Sequence, residues 1–227
     1  MRVPRVLVCA VVASLASATS AMAQDVHSSW AGFYLGIEGG ANFLTDKTYG
    51  FAGLRAGYDL EFERFVVGAE VTADYRPGST NNNFTWVGVP SGTLYQTSTT
   101  TMADFIGMTT FHIGYEIVNR LLPYVSGGVA FSPIEMKTAF SGLIGPNAGA
   151  FGANSSTTWR TGWVVGSGVR IALSDHWSLE PQYRYYSFPK VTLFTPGYLG
   201  GAQVASYTLS DTGRGSLVSL AANYRFW

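Results

Sequence analysis

From Phe65 to Arg76 the chain alternates, with Phe65, Val67, Ala69, Val71, Ala73 and Tyr75 standing against Gly68, Glu70, Thr72, Asp74 and Arg76. Successive side chains of a strand point to opposite faces, so this segment needs an apolar medium on one side and polar groups on the other. The same period recurs along the chain, each instance bounded by Gly, Pro, Asn or Ser clusters of the kind that end strands. A sheet with two unlike faces is therefore the unit of this fold.

We read eight such segments. About Ala31 to Phe43, Phe33, Leu35 and Ile37 oppose Tyr34, Gly36, Glu38, Gly40 and Asn42; about Tyr49 to Leu60, Ala52, Leu54, Ala56 and Tyr58 oppose Gly53, Arg55, Gly57 and Asp59. The third is about Glu63 to Arg76. About Met102 to Ile117, Phe105, Phe111, Ile113 and Tyr115 oppose Asp104, His112 and Glu116, with Ile106 and Met108 blurring the polar face. About Leu122 to Ser132 the chain is glycine-rich and either facing fits. From Thr158 to Leu173, Trp163, Val165, Val169 and Ile171 oppose Arg160, Gly166, Gly168 and Arg170; about Trp177 to Phe188, Leu179, Pro181, Tyr183 and Tyr185 oppose Ser178, Glu180, Gln182 and Arg184. The last, about Gly213 to Phe226, sets Val218, Leu220, Ala222, Tyr224 and Phe226 against Ser219, Asn223 and Arg225, and Trp227 follows.

Connections alternate in length. Short links fall near Leu60 to Arg64, Ile117 to Leu121 and Ser174 to His176; long ones fill Arg76 to Thr101, Pro133 to Thr157 and Pro189 to Thr212, with a smaller one at Leu44 to Thr48. Three short turns and four loops join eight strands, an even number that returns both ends of a barrel to one side. Ten strands would require a further hairpin from a long loop, and Phe84 to Val89 is the candidate.

Composition decides which medium faces which side. Charged residues make up 12% of the chain, against about 25% in ordinary soluble domains. The polar faces carry Gly, Ser, Thr and Asn with isolated charges, and lysine occurs only three times. A soluble barrel would bury its apolar face and clothe the other in Lys and Glu. Aromatic residues instead cap the apolar faces, as at bilayer interfaces. After residue 23 no apolar run approaches the roughly 18 residues of a membrane-spanning helix, so a membrane form must cross with strands. The expected fold is an all-β, eight-stranded antiparallel up-and-down transmembrane barrel with short periplasmic turns and long extracellular loops.

Residues 1–23 read as a secretory signal peptide: Arg2 and Arg5 precede an apolar run from Val6 to Ala18, and Ala21-Met22-Ala23 supplies a small-residue cleavage site before Gln24. Residues 24–227 then form one barrel domain. Cys9 lies inside the signal, leaving a mature chain with neither disulfides nor cysteine-bound metal. Twelve basic against fourteen acidic residues remain, with no basic patch for nucleic acid.

A barrel of eight strands has an interior just wide enough for side chains to fill. Its charged members are expected to be Glu38, Arg55, Glu70, Asp74, Asp104, His112, Glu116, Arg160, Arg170, Glu180, Arg184 and Arg225, acids and bases in near balance. Paired, they plug and register the barrel; the many glycines of the same face admit a second reading, unfilled volume and a small passive pore.

Five stretches carry a family resemblance: Trp30-Ala31-Gly32-Phe33-Tyr34-Leu35-Gly36, Leu122-Pro123-Tyr124-Val125-Ser126-Gly127-Gly128-Val129-Ala130, Gly162-Trp163-Val164-Val165-Gly166-Ser167-Gly168-Val169, Leu173-Ser174-Asp175-His176-Trp177-Ser178-Leu179 and Asn223-Tyr224-Arg225-Phe226. The chain resembles the small outer-membrane β-barrel proteins of alphaproteobacteria, the porin family or opacity-type proteins. The resemblance implies an OmpA-like eight-stranded barrel in the Gram-negative outer membrane, inserted by assembly machinery that reads the C-terminal strand, here Val218, Leu220, Ala222, Tyr224, Phe226 and Trp227. Members usually stop at the Phe, so Trp227 is a departure.

The leading functional expectation is a structural and surface-interaction protein of the cell envelope, with outer-membrane lipids around it and a surface ligand at its loops; the alternative is the passive pore. An enzyme would need a positioned nucleophile or base. His112, expected beside Asp104 and Glu116, reads as an ionic partner, and no serine or lipid-pocket motif accompanies it. Neither the paired placement for haem nor metal-ligand or phosphate-loop spacing is present, and no cofactor is expected.

Overall fold

Twelve strands follow one another among the described residues: β1 (Gly32–Phe43), β2 (Thr48–Phe62), β3 (Phe65–Tyr75), β4 (Thr80–Val89), β5 (Gly92–Met102), β6 (Phe105–Tyr115), β7 (Leu121–Ile144), β8 (Phe151–Ala172), β9 (Trp177–Ser187), β10 (Val191–Leu199), β11 (Ala202–Asp211) and β12 (Arg214–Arg225). They belong to a computed structural model that describes residues 30–44, 48–77, 80–89, 92–102, 104–144, 151–199, 202–211 and 213–226. The expected signal segment and Trp227 lie outside the described residues.

Eight of these strands close a ring by antiparallel pairing in the order β1, β2, β3, β6, β7, β8, β9, β12 and back to β1. The seam joins the two ends of the chain, with Leu35 opposite Tyr224 and Ile37 opposite Ala222. Closure leaves the ring without an edge, the condition under which strands can sit in hydrocarbon.

At one end the links are short. Only Glu63 and Arg64 separate β2 from β3, and Glu63 takes a left-handed φ of 58° as two-residue hairpins require. At the other end β7 and β8 run 24 and 22 residues, about twice the length of β3 or β9. β7 pairs with β6 as far as Phe131, then passes Pro133 and takes β5 as its neighbour from Ile134 onward. A proline, lacking an N–H, is well placed where a strand changes partner.

β4 and β5 form a hairpin on that extension, and β10 and β11 form another that touches β8 at Tyr198 opposite Phe151. The segment Phe84 to Val89 is thus β-structure, but outside the ring, and the wall has eight strands. Regions expected as plain loops are largely β-ribbons. Their Thr- and Asn-rich sequences have no apolar period to announce a strand, whereas β-branched Thr accepts one readily once an existing strand offers its edge.

Burial follows the expected alternation with globular logic reversed. Glu70, Thr72 and Asp74 of β3 are buried while Val67, Val71 and Tyr75 are exposed. Phe111 at 68%, Leu54 at 66% and Ile37 at 63% are among the most exposed large side chains. A monomer in water tolerates only limited apolar patches; a whole girth of Leu, Ile, Val and Phe needs lipid. Aromatic side chains mark the belt's ends, with Phe62, Phe65, Tyr115 and Trp177 near the short turns and Tyr75, Trp159 and Trp163 toward the long strands. Val125 and Val129 face outward, Leu122, Tyr124, Ala130 and Ser132 inward, which orients the glycine-rich fifth segment.

Candidate functional site

The interior is stacked in three layers. Near the short turns Trp30, Val66, Leu122 and Ala172 form an apolar floor, and Trp30 N donates to Glu61 Oε2 at 2.7 Å. At the long-strand end a larger apolar layer gathers Phe51, Ile106, Met108, Val164, Phe188 and Leu217 with Ala130 and Tyr186. Ile106 and Met108, which blur the polar face in sequence, belong to it. Between the two apolar layers lies an ionic network.

Glu180 of β9 is its hub. Oε1 accepts from Arg55 Nη2 at 2.7 Å and from the Tyr124 hydroxyl at 2.5 Å; Oε2 accepts from Arg170 Nε at 2.8 Å and Asn223 Nδ2 at 2.9 Å. Arg55 also pairs with Glu70, which accepts the Tyr34 hydroxyl at 2.8 Å. Arg170 pairs with Asp59 and lies over the Tyr34 ring, 4.7 Å from its centroid. Because β2 and β8 are four places apart in a ring of eight, the Asp59–Arg170 pair spans the lumen's diameter.

One level nearer the long strands, Glu38 Oε2 accepts from Arg184 Nη2 at 2.7 Å, Gln182 Nε2 at 2.6 Å and Ser219 Oγ at 3.2 Å. Asp74 stands 3.6 Å from Arg184. These side chains are almost wholly buried. Charges so placed need partners in good geometry, since desolvation otherwise outweighs their attraction.

The remaining expected members lie around this core. His112 is inside, but its partner is Asp59, with Nε2 2.8 Å from Oδ1, rather than Asp104 or Glu116. Glu116 is buried near the short turns, where Oε1 accepts from Arg120 N at 3.2 Å. Asp104 sits half-buried at the opposite rim, its carbonyl accepting from Arg76 N at 2.7 Å. Arg160 is buried at that same end and donates Nη1 to the Pro189 carbonyl at 3.1 Å. Arg225 lies 5.2 Å above the Trp30 ring in the floor. In β12, Val218, Leu220 and Tyr224 face outward with Ala222 in step, and Phe226 packs on Phe33 at 5.6 Å.

Asp59, Tyr34, Tyr124, Gln182 and Asn223 complete the network and were absent from the expected set of charges. Parity places Asp59, Tyr34, Gln182 and Asn223 on the polar faces, whereas Tyr124 belongs to the fifth segment, where either facing fits the sequence. The tyrosines are hidden because aromatics on alternating strands read as membrane girdle.

The glycines that raised the idea of a pore have their space taken by neighbours. A Cβ on Gly57 would lie 2.4 Å from the Tyr34 ring, on Gly168 2.6 Å from Tyr124 Oη, and on Gly68 2.2 Å from Asp59 Oδ1. Large side chains fit because their neighbours have none. Gly57→Ala is therefore expected to destabilise by about 1–3 kcal/mol through overpacking. Gly39→Ala, whose Cβ would meet only the Phe51 carbonyl at 3.6 Å, should be neutral or stabilising; urea midpoints of the two variants in lipid vesicles check the contrast.

The profile of the outer membrane protein beta-barrel domain matches residues 9–226. The chain is 28% identical over 222 residues to the 31 kDa outer-membrane immunogenic protein of Brucella melitensis biotype 1, spanning 81% of this chain and 88% of that one. It is 25% identical over 169 residues to the 25 kDa outer-membrane immunogenic protein of Brucella ovis, 70% of each. Among solved structures, OprG of Pseudomonas aeruginosa aligns with a TM-score of 0.45 and 13% identity over 88% of this chain and 100% of that one. Ail of Yersinia pestis aligns with a TM-score of 0.42 and 13% identity over 86% and 97%.

Proposed function

This chain belongs to the outer membrane protein beta-barrel family, and from that premise we propose that it is a filled, non-conducting barrel carrying a surface-interaction platform on its extracellular side. It is a protein of the outer membrane, with lipid around its apolar belt. The observation that carries the proposal is the bridging of the lumen across its diameter: Asp59 to Arg170 just above the apolar floor, Thr72 to Arg184 at 3.2 Å, and Arg76 to Tyr186 at 3.0 Å nearer the extracellular mouth. Apolar side chains gather toward both ends of the polar network, and with these bridges they support reading the lumen as closed to a continuous aqueous path. Recognition then falls to the extracellular β-ribbons, as is usual for variable segments raised on a rigid scaffold.

Purified protein in planar bilayers should give no resolved conductance steps. Deleting β4 and β5 should leave the barrel folded while removing whatever surface binding intact cells show. Stable unit conductances from the wild-type protein would reject the filled-barrel reading.

We read the chain as non-enzymatic. His112, inside the barrel, is tied to Asp59, and its ring centroid lies 5.6 Å from that of Tyr124, so it is engaged structurally. We also propose that residues 1–23 are removed before Gln24, so that mass spectrometry of the outer-membrane form finds residues 24–227. The assembly machinery would then read Val218 to Phe226 with Trp227. Assembly yields of Phe226→Ala and of a chain lacking Trp227 tell which aromatic is recognised.

A further inference from the structure

We propose that the extracellular mouth of the lumen is an oxyanion site centred on Arg76. This guanidinium is wholly buried, and its Nη1 donates to the Tyr186 hydroxyl at 3.0 Å. Tyr186, across the lumen on β9, is held in turn by Asn42, its hydroxyl 3.2 Å from Oδ1. Nε and Nη2 make no hydrogen bond, although neither reaches solvent. These two nitrogens share one edge of the guanidinium, the fork that grips two oxygens of a carboxylate or phosphate at once.

Nothing described nearby supplies that anion. Asp74, two residues deeper on the same face, is in contact with Arg184. Asp104, beside Arg76 at the rim, gives it a carbonyl through the backbone. Tyr186 belongs to the upper apolar layer with Phe51, Phe188 and Leu217, so the cation stands at the margin of a region that solvates charge poorly. A buried charge in such a place is stable only when paired.

The lumen below is bridged by the ionic network, so a ligand reaches Arg76 from outside the cell. Its required chemistry is two oxygens on one anionic centre. A soluble phosphate or carboxylate compound provides this, and so does a phosphorylated lipid headgroup of the outer leaflet.

The test follows the Arg76 Nε–H resonance of isotopically labelled full-length barrel in nanodiscs of digalactosyldiacylglycerol, a bilayer lipid without phosphate, assigned by its loss in Arg76→Lys, during titration with inorganic phosphate and, separately, acetate. A saturable shift of that resonance supports the site and a soluble source. In nanodiscs containing lipopolysaccharide, a shift already present without added anion supports the site with the headgroup as source. No saturable change in either bilayer overturns the proposal. Calorimetric phosphate affinity should also fall at least about tenfold in Arg76→Gln; equal affinity would overturn it. The wild-type titration stands even if a variant does not fold.

Discussion

Glu180→Ala is expected to lower the stability of the barrel by about 3–5 kcal/mol, the range seen when one partner of a buried charge pair is removed. The effect should be among the largest for any single lumen residue, because this carboxylate serves Arg55, Arg170, Tyr124 and Asn223 together. Its removal strands two guanidinium groups in the middle layer with their other acids, Glu70 and Asp59, each left to balance one of them. Glu180→Gln should fall between wild type and Ala, since the amide keeps an oxygen for one arginine but carries no charge. The measurement is urea unfolding in lipid vesicles, followed by the mobility difference between folded and boiled protein on a gel. A loss below about 1 kcal/mol, the value of an exposed pair, would mean that water enters the middle layer freely.

Val71→Arg tests the outer face with a comparable effect. Val71 is near the centre of β3, half-exposed on the belt between Phe65 and Tyr75, which mark its two aromatic ends. Arginine near the bilayer midplane of a barrel costs about 2–4 kcal/mol and close to nothing at the interfaces. Val71→Arg should therefore shift the unfolding midpoint strongly and Tyr75→Arg little. Equal, small effects at both positions would describe a solvated face and a soluble barrel.

Strands and their faces are readable from residues alone because a period of two is enforced separately in each segment. Glu70, Thr72 and Asp74 cannot face lipid, and Val67 and Val71 have no place in a lumen lined with charge. The seam is readable for a similar reason: closing an up-and-down sheet forces the last strand to pair with the first, and an even number of strands makes that pairing antiparallel.

What joins what across the lumen is not readable. Asp59 and Arg170 are 111 residues apart, and their meeting depends on strand order and stagger around the ring. For the same reason the sequence neighbours of His112 were poor guides to its partner. Glycine was misleading in the same way. On its own strand Gly57 looks like missing volume, whereas in the ring it is the recess that receives Tyr34. Beyond the barrel, β4 and β5 carry runs such as Thr97-Ser98-Thr99-Thr100-Thr101, in which nothing alternates, and their pairing depends on the overhang of β7.

The central claim is that β12 returns to β1 and closes an eight-stranded ring, and a cysteine pair across that seam tests it most directly. Ile37 and Ala222 are direct partners in the β1–β12 register, and opposed residues of antiparallel strands lie about 4.5–5.5 Å apart, within reach of a disulfide. In an Ile37→Cys, Ala222→Cys chain with Cys9 replaced by serine, mild oxidation of the folded protein in membranes should form an intramolecular crosslink in high yield. The crosslinked form should keep a distinct mobility after boiling, because the chain ends stay tied. Failure to crosslink in the folded protein, or crosslinking only between molecules, would contradict a closed ring.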